Sequence, residues 1–391
     1  MRTKVLKAGF LLIALLVSLV VLGGCGAKTS GQDTAAPQKA VVTDLAGRQV
    51  EVPVPAKKVV AIGPGALRLV CYVNGADKVV GVENVEKQKP RGKPYMLAHP
   101  ELKDLPSIGQ GGPDTAPEAE KLVTVNPDVI FVASLLDRAQ ADELQAKTNI
   151  PVVVLNYGTE VPFDEKVYDS LLLIGKIIGN EKRAQEVVAY LKNCQQDLYE
   201  RTRDIPEDKK PRVYVGALSA KGEHSIESTA PKYGPFIAIG ARNVVEEING
   251  RGSVVLEEKK LAEMGRALGR GVMIEKEKLL AWDPDIILID EGGLGLVRND
   301  YKKNPQFYQS LKAVKTGQVY GQIPFNFYNT NIDTAIADAY YAGKVIFPEQ
   351  FKDIDPAKKA DEIYQFLLGK PLYEQMAKDY GGFKKLDLAS P

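Results

Sequence analysis

Two arginines and one aromatic–amide segment carry the chemistry best suited to holding a ligand. Arg68 and Arg138 each follow a predicted strand, and a guanidinium binds carboxylate or phosphonate-like groups through paired hydrogen bonds. The segment Phe325–Asn331 interleaves aromatic rings with amide side chains, which suits a bulky, partly polar ligand. The alternatives are surface ion pairs for the arginines and core packing for Phe325 and Phe327.

Histidine content limits the metal chemistry. The chain has two histidines, His99 and His224, far apart in sequence, whereas a bare zinc or manganese site normally uses several histidines with carboxylates. Direct capture of a naked metal is therefore not expected. His224 lies in a predicted loop and is a candidate axial ligand for a metal already held by an organic molecule. Its alternative is an exposed loop histidine.

Motifs for catalysis are missing from the sequence. Gly63-Pro64-Gly65 follows a predicted strand, but the third glycine of a dinucleotide-binding loop is replaced by Arg68. Neither a phosphate-binding loop nor a nucleophile elbow is present. Two histidines also leave few bases for a serine or cysteine triad. The sequence therefore predicts a protein that is not an enzyme and has no resident cofactor.

The N-terminus predicts export and a lipid anchor. A basic start and an apolar run of about 15 residues, Ala8–Leu22, are typical of a secretory signal and too short to span a membrane. Gly23-Gly24-Cys25 resembles the end of a bacterial lipoprotein signal, which implies cleavage after residue 24 and acylation of Cys25. The alternative is an ordinary signal peptide with an incidental cysteine. Residues 25–40 are expected to form a flexible tether. The chain would then be lipid-anchored at the extracytoplasmic face of the cell membrane.

Charge and size exclude some classes of function. The chain has 51 basic and 50 acidic residues, and loss of the three basic residues in the signal leaves 48 basic residues against 50 acidic ones. This balance gives no reason to expect a nucleic-acid partner. About 365 remaining residues favour two domains over one. Cys71 and Cys194 are expected to be small buried hydrophobes.

The alternation of elements predicts two α/β lobes with parallel sheets, joined by one long linker helix. Short β-branched runs such as Val59–Ile62 and Val129–Val132 alternate with helical stretches. Residues 166–203 instead carry almost only helix signal, with a predicted break at Gly179-Asn180 and one helix expected over 181–203. The predicted N-terminal lobe is 41–165, the linker region is 166–206, and the C-terminal lobe is 207–391.

An internal repeat supports two similar halves. Glu120–Val132 has a partner 157 residues later, Glu277–Ile289, and six of the thirteen positions are identical. Each copy predicts a short helix, a Pro-Asp turn and a buried strand. Ligands of open α/β sheets lie beyond the carboxyl ends of the strands, so two facing sheets would form a cleft.

The chain resembles periplasmic binding proteins of the iron-siderophore and cobalamin class. The resemblance rests on Thr43–Pro53, Lys58–Ile62, Gly75–Val82 and both Pro-Asp repeats, and it covers roughly residues 41–369. It implies two lobes with Rossmann-like sheets, a shallow cleft, little hinge motion, and delivery of a metal chelate to an ATP-driven importer. The implied partners are a permease dimer with its cytoplasmic ATPase, and the chain is expected to be a monomer.

The resemblance also implies docking residues. An acidic residue on the outer face of each lobe meets basic residues of the permease in this class, and Glu120 and Glu277 occupy the matching positions. Two equivalent carboxylates suit a two-fold partner. The alternative is a pair of solvated glutamates that complement their helix dipoles.

Ligand contacts are expected in loops that follow strands and face the cleft. The predicted contacts are Arg68, Gln110, Arg138, Tyr157, His224, Tyr233, Asn326, Tyr328 and Asn329. The expected cargo is a ferric siderophore, haem or a corrinoid. An oxyanion such as molybdate is the alternative, because backbone amides of Gly109–Gly112 could form an anion nest. A lipoprotein that presents its ligand to a sensor is a further alternative.

Overall fold

Two parallel sheets, one in each half of the chain, organise the protein. The computed structural model describes residues 38–89, 91–112, 115–134, 136–158, 162–219, 222–249 and 272–390. The strands are β1 (Gln38–Thr43), β2 (Gln49–Val54), β3 (Val59–Ile62), β4 (Val79–Gly81), β5 (Val129–Ala133), β6 (Val152–Leu155), β7 (Arg212–Gly216), β8 (Ser228–Thr229), β9 (Arg242–Asn243), β10 (Val272–Met273), β11 (Ile286–Asp290), β12 (Val319–Gln322) and β13 (Lys384–Lys385).

Helices cover both faces of these sheets. They are α1 (Ala66–Tyr72), α2 (Asn84–Lys87), α3 (Pro94–Ala98), α4 (Ala119–Thr124), α5 (Arg138–Thr148), α6 (Glu165–Ile178), α7 (Glu181–Thr202), α8 (Gly234–Ala238), α9 (Lys276–Trp282), α10 (Leu294–Lys303), α11 (Pro305–Ser310), α12 (Lys312–Lys315), α13 (Ile332–Ile346), α14 (Pro356–Leu368) and α15 (Tyr373–Tyr380). Short 3-10 turns occupy Ala76–Lys78, Pro100–Asp104, Glu207–Lys209 and Val244–Asn249.

The two sheets share one strand order. The first runs β4-β3-β5-β6, all parallel, and the second runs β9-β7-β11-β12 with the short antiparallel β13 added at its edge. In each sheet the strand that follows the Pro-Asp repeat, β5 or β11, has a neighbour on both sides. The predicted fold class, two α/β lobes with parallel sheets, is confirmed.

Alternate residues of each strand enter different cores. In β3, Val59 and Ala61 join a core that contains residues of both lobes, whereas Val60 and Ile62 pack against the outer helices of the N-terminal lobe. Tyr214 of β7 similarly joins an outer core of the C-terminal lobe. This alternation is the two-residue period of a strand buried on both faces. One continuous core therefore extends across both lobes.

The linker helix α7 places one apolar stripe against that shared core. Its buried residues recur every three or four positions: Ala184, Val187, Leu191, Cys194, Leu198 and Thr202. At 1.5 Å per residue its 22 residues extend about 33 Å. Gly179 ends α6 in the left-handed region, with φ of 77°, and Asn180 precedes α7. The predicted break at Gly179-Asn180 and the long helix after it are both present.

The Pro-Asp turns of the repeat are built alike. Asn126 and Asp283, the residues before the two prolines, both have positive φ, 47° and 40°. The following Asp128 accepts the backbone N–H groups of Lys57 and Lys58 at 2.7 and 2.8 Å. Asp285 accepts the backbone N–H of Arg212 at 2.8 Å. Each aspartate thus ties its turn to the start of the neighbouring strand.

Several observed strands were not predicted from the sequence: β1, β2, β8, β9, β10, β12 and β13. β1 and β2 form an antiparallel hairpin that begins at Gln38, three residues before the predicted start of the folded part. β13 pairs with β12 through only two residues. The predicted lobe limits, 41–165, 166–206 and 207–391, stay predictions.

Candidate ligand cleft between the lobes

The loop after β3 approaches the loop after β6 at the lobe boundary. Gly65 has φ of 92°, and a Cβ there would lie only 2.4 Å from the ring of Tyr157. The Tyr157 hydroxyl donates to the Gly65 carbonyl at 3.0 Å and is itself buried. Glycine is needed at this position for both its backbone conformation and the close ring.

Arg68 is fully buried, and all its donors are used within the protein. A guanidinium has five N–H groups. Their acceptors are the Asn331 amide oxygen (2.8 Å), the Tyr157 hydroxyl (3.0 Å), and the carbonyls of Thr330 (2.8 Å), Phe327 (2.8 Å) and Tyr328 (3.3 Å). No donor is left for an anion. We therefore correct the predicted role: Arg68 joins the N-terminal lobe to the segment 327–331 of the C-terminal lobe instead of binding ligand.

The segment Phe325–Asn331 lies across the N-terminal lobe. Tyr328 and Asn329 have φ of 48° and 71°, a left-handed backbone that costs a tyrosine about 1–2 kcal/mol. The Tyr328 hydroxyl donates to Glu83 at 2.8 Å and accepts from the Gly112 amide at 3.0 Å. The Asn329 amide donates to the Pro64 carbonyl and the Ser134 hydroxyl at 3.3 and 3.2 Å. These contacts hold the segment in its strained conformation.

Glu83 is a site residue that the sequence analysis missed. It is buried, and its carboxylate accepts from the Gly63 amide at 3.0 Å as well as from Tyr328. Burial raises the pKa of Glu83 to about 7, although both hydrogen bonds oppose that shift. The signal for it was available, because Glu83 is the first polar residue after the apolar run Val79–Val82.

The glycine loop that could serve as an anion nest already has protein acceptors. The backbone amide of Gln110 donates to the Glu118 carboxylate at 3.1 Å, and the Gly112 amide donates to Tyr328. The side chain of Gln110 is exposed and accepts weakly from Asn84 at 3.4 Å. An oxyanion at Gly109–Gly112 would have to displace the carboxylate of Glu118. Pro113 and Asp114 lie outside the described residues.

The remaining predicted contacts differ in accessibility. Arg138 is exposed at the start of α5, behind a capping box formed by Asp137 and Gln140. His224 and Asn326 are half-buried, and the Asn326 amide oxygen accepts from the Thr330 hydroxyl at 3.3 Å.

Tyr233 is instead part of the core. Its side chain is buried, its hydroxyl contacts the amide of Gln322, and its ring packs 5.5 Å from Phe325 and 5.0 Å from Phe236. We therefore remove Tyr233 from the ligand contacts, and likewise Tyr157, whose buried hydroxyl is already bonded to Gly65 and Arg68. Of the predicted residues, Arg68, Tyr157, Tyr328 and Asn329 meet in one network. Within the described residues, no hydrogen bond or ion pair links Arg138 to it.

The C-terminal lobe also has buried carboxylates: Asp290 and Glu291 at the end of β11, and Asp338 on α13. Asp290 accepts from the amides of Ser219 and Gly292 at 3.2 and 2.8 Å, and burial raises its pKa to about 6. Burial raises the pKa of Glu291 to about 8 and that of Asp338 well above its usual range. In the part of the chain that the structure describes, no group of three or more His, Cys, Asp or Glu side chains is arranged to hold a metal ion.

The outer faces of the lobes carry the two predicted docking residues. Glu120 lies in the first turn of α4 and Glu277 in the first turn of α9, and both are exposed. The neighbouring lysines have other partners: Lys121 pairs with Glu118 at 2.7 Å, and the Lys278 ammonium lies 5.3 Å from the Trp282 ring. Among the described residues, neither glutamate carboxylate has an ion pair or hydrogen bond.

Cys71 and Cys194 are buried and unbridged, as expected, and burial raises the thiol pKa of both. Cys25 and the rest of the predicted signal and tether up to residue 37 lie outside the described residues. None of the described helices has the length and apolar character to cross a membrane.

Two facing α/β lobes bridged by a long helix, with a shared core and a boundary rich in polar contacts, define a bilobal α/β protein of the solute-binding type. The chain belongs to the periplasmic binding protein family, whose model matches residues 59–322. This confirms the family resemblance seen in the sequence.

Three relatives are similar in sequence to this chain. The chain is 27% identical over 207 residues to the uncharacterized ABC transporter substrate-binding lipoprotein YvrC of Bacillus subtilis, which covers 52% of this chain and 61% of YvrC. It is 26% identical over 209 residues to the Fe(3+)-citrate-binding protein YfmC of the same organism, covering 54% and 58%. The chain thus spans about three fifths of the length of each Bacillus relative.

The third relative matches over a greater length. The molybdate-binding protein MolA of Haemophilus influenzae is 22% identical over 348 residues, covering 83% of this chain and 90% of MolA. The structure of MolA bound to molybdate superposes with a TM-score of 0.61 at 19% identity, covering 85% of this chain and 98% of that one. At this identity the superposition establishes the fold alone.

Proposed function

We propose that this chain is the extracytoplasmic solute-binding lipoprotein of an ABC importer. It captures a small ligand between its lobes and delivers it to a permease dimer driven by a cytoplasmic ATPase. Support comes from family membership, from the bilobal fold and from YvrC, itself described as a substrate-binding lipoprotein. The predicted signal and Cys25 supply the anchor. Replacing Cys25 with alanine should abolish palmitate labelling and release the exported chain from the membrane.

The proposed cargo is a metal chelate. The observation that carries this is the state of the strand-end groups: described carboxylates do not cluster as a metal site, and two amides of the Gly109–Gly112 loop, those of Gln110 and Gly112, already have protein acceptors. A chelate brings its own metal ligands and needs only a polar, partly aromatic surface. The Fe(3+)-citrate-binding relative YfmC agrees with this class of cargo. The proposed contacts are Gln110, Arg138, His224, Asn326, Tyr328 and Asn329, with His224 as candidate axial ligand.

Native mass spectrometry on the whole chain in detergent tests the cargo. Ferric citrate, a ferric hydroxamate, haem, cobalamin and molybdate are offered one at a time. We expect one chelate per chain, and about tenfold weaker binding after Arg138→Ala or Gln110→Ala, since both side chains are exposed. The control is Arg203→Ala, an exposed arginine beyond the end of α7, which should bind as the parent does.

Two other results would change the proposal. Binding of molybdate alone would make the cargo an oxyanion, as in the relative MolA, and Glu118→Gln should then strengthen it. A folded chain that binds none of the five compounds would instead favour the sensor-presenting function.

Docking through Glu120 and Glu277 is the second part of the proposal. Both carboxylates are exposed and have no ionic partner among the described residues, while the adjacent lysines are engaged elsewhere. Two unneutralised charges on equivalent helices suit basic groups of a two-fold permease. The double variant Glu120→Gln/Glu277→Gln should lower uptake at least tenfold without changing ligand binding. Glu143→Gln, on the exposed face of α5, is the matched control. Uptake unchanged in the double variant would contradict this docking mode.

A further inference from the structure

The outer faces of the two lobes match in more than their glutamates. Along the repeats Glu120–Val132 and Glu277–Ile289, corresponding residues fall in the same class of solvent exposure at every position except two. The exceptions are Val125 against Trp282 and Asn126 against Asp283. The two copies of the repeat therefore share a pattern of exposed surface residues as well as a buried strand.

This matched surface includes an exposed apolar side chain in each lobe. Val123 is 47% exposed and Leu280 is 38% exposed, and each lies three residues after its glutamate. Residues three apart on a helix are neighbours on its surface. The preceding Leu122 and Leu279 are buried and anchor each helix to its lobe. Each lobe therefore presents a carboxylate beside an apolar group on a helix fixed to the core.

Few large apolar side chains are comparably exposed in the described residues. The others are Val41, Leu172, Tyr199, Ile237, Met273 and Leu296, and none of them lies within either copy of the repeat. Isolated exposed apolar residues need no explanation. Two at the same position of a repeated helix, each beside an unpaired carboxylate, form a matched pair of small patches that a two-fold partner could cover.

We propose that Val123 and Leu280 form the apolar part of the permease-docking surface. The permease would present, twice, a basic group beside an apolar depression, so that the charge pairs with the glutamate and the depression covers the Val123 or Leu280 side chain. The charge complementarity comes from Glu120 and Glu277. This inference rests on the proposed docking function and adds the specificity that two exposed carboxylates alone do not provide.

The test measures affinity between the whole chain and the permease–ATPase complex of its own host in lipid nanodiscs. Val123→Ser and Leu280→Ser should each weaken binding about fivefold, because each side chain is about half exposed before docking, and together about 25-fold. The salt dependence of binding should be the same for these serine variants as for the parent. Glu120→Gln and Glu277→Gln should instead weaken binding and flatten the salt dependence. Leu172→Ser on α6, at a parent exposure of 40%, is the control.

Each outcome separates this inference from the function on which it rests. If the serine variants bind as the parent does while the glutamine variants are weakened, the apolar contact is overturned and docking stands. If all four variants bind normally, both are overturned. If the parent forms a dimer by light scattering that the serine variants dissociate, the occupant is a second copy of this chain and the inference fails. Circular dichroism melts of all variants should match the parent, because the substituted side chains are exposed.

Discussion

The outer faces of the two lobes are alike, whereas their cleft-facing loops are not. On the outside, α4 and α9 repeat the same exposed glutamate, the same buried leucine and the same exposed apolar residue. At the lobe boundary, the N-terminal lobe supplies the buried Arg68, Tyr157 and Glu83, and the C-terminal lobe supplies a strained segment that reaches across.

The difference agrees with the partner proposed for each surface. A repeated surface fits a partner that is itself repeated by a two-fold axis. The unrepeated lobe boundary agrees with the proposed small ligand, which has no such symmetry. The lobes are also rigidly connected there, because one core contains residues of both lobes and one hydrogen-bonded segment joins them. Three stability measurements can test this comparison.

The largest effect is expected at Arg68. Replacement by alanine removes the donor from five acceptors, three of them buried, and we expect a loss of about 4 kcal/mol in the free energy of unfolding. Urea denaturation measures this. Arg68→Lys keeps the charge but has fewer N–H donors, so its free energy of unfolding should fall by about half as much. This variant can therefore be measured even if the alanine variant does not fold. The exposed Arg138→Ala should change stability by no more than about 0.5 kcal/mol. A similarly small loss at Arg68 would show that the network does not hold the lobes together.

A smaller, pH-dependent effect is expected from the buried carboxylates of the cleft. The pKa of Glu83 is raised from 4.5 to about 7 in the folded chain. The native state therefore holds this proton more tightly than the unfolded state, and stability falls as pH rises from 4.5 to 7. Glu83→Gln keeps a hydrogen-bond acceptor and removes the titration. Its stability relative to the parent should improve by about 2 kcal/mol between pH 5 and pH 8.

The corresponding variant of the C-terminal lobe sharpens the comparison. The pKa of Glu291 is raised to about 8, so the gain from Glu291→Gln should continue up to pH 8, beyond the point at which the Glu83→Gln gain levels off. Superimposable pH profiles for the two variants would argue that one shared ionisation, and not separate lobe environments, controls both groups.

The framework was readable from sequence because it depends on local patterns. Apolar runs such as Val59–Ile62 and Val129–Val132, the Gly179-Asn180 break and the repeat each carry their own signal. The strands after the two Pro-Asp turns are buried along their whole length, and their largely apolar, β-branched sequence indicates this. The two-residue β13 was missed because its pairing partner, β12, lies far earlier in the chain.

The site was harder to predict, because its chemistry depends on long-range contacts. An arginine after a strand is the same sequence signal whether it faces a ligand or another loop. Arg68 proved to be an internal donor because a segment about 260 residues later supplies four of its five acceptors. The left-handed conformation of Tyr328 is likewise set by Glu83 and Gly112 across the boundary, and nothing in its local sequence predicts it.

The smallest effect is expected at the matched Pro-Asp turns, where the lobes should respond alike. Asp128→Ala removes the acceptor of two backbone N–H groups, and Asp285→Ala removes the acceptor of one backbone N–H and an exposed ion pair with Lys312. Each substitution should lower the free energy of unfolding by about 1–2 kcal/mol, because hydrogen bonds to a charged acceptor are stronger than those between neutral groups. The contribution of Lys312 is screened by salt, so raising the ionic strength should reduce the Asp285→Ala loss slightly and leave the Asp128→Ala loss unchanged. If the two variants lose free energies of unfolding that differ by more than about 1 kcal/mol at high salt, the two turns have the same shape but contribute differently to stability. The likeness of the two lobes would then be confined to their outer surfaces.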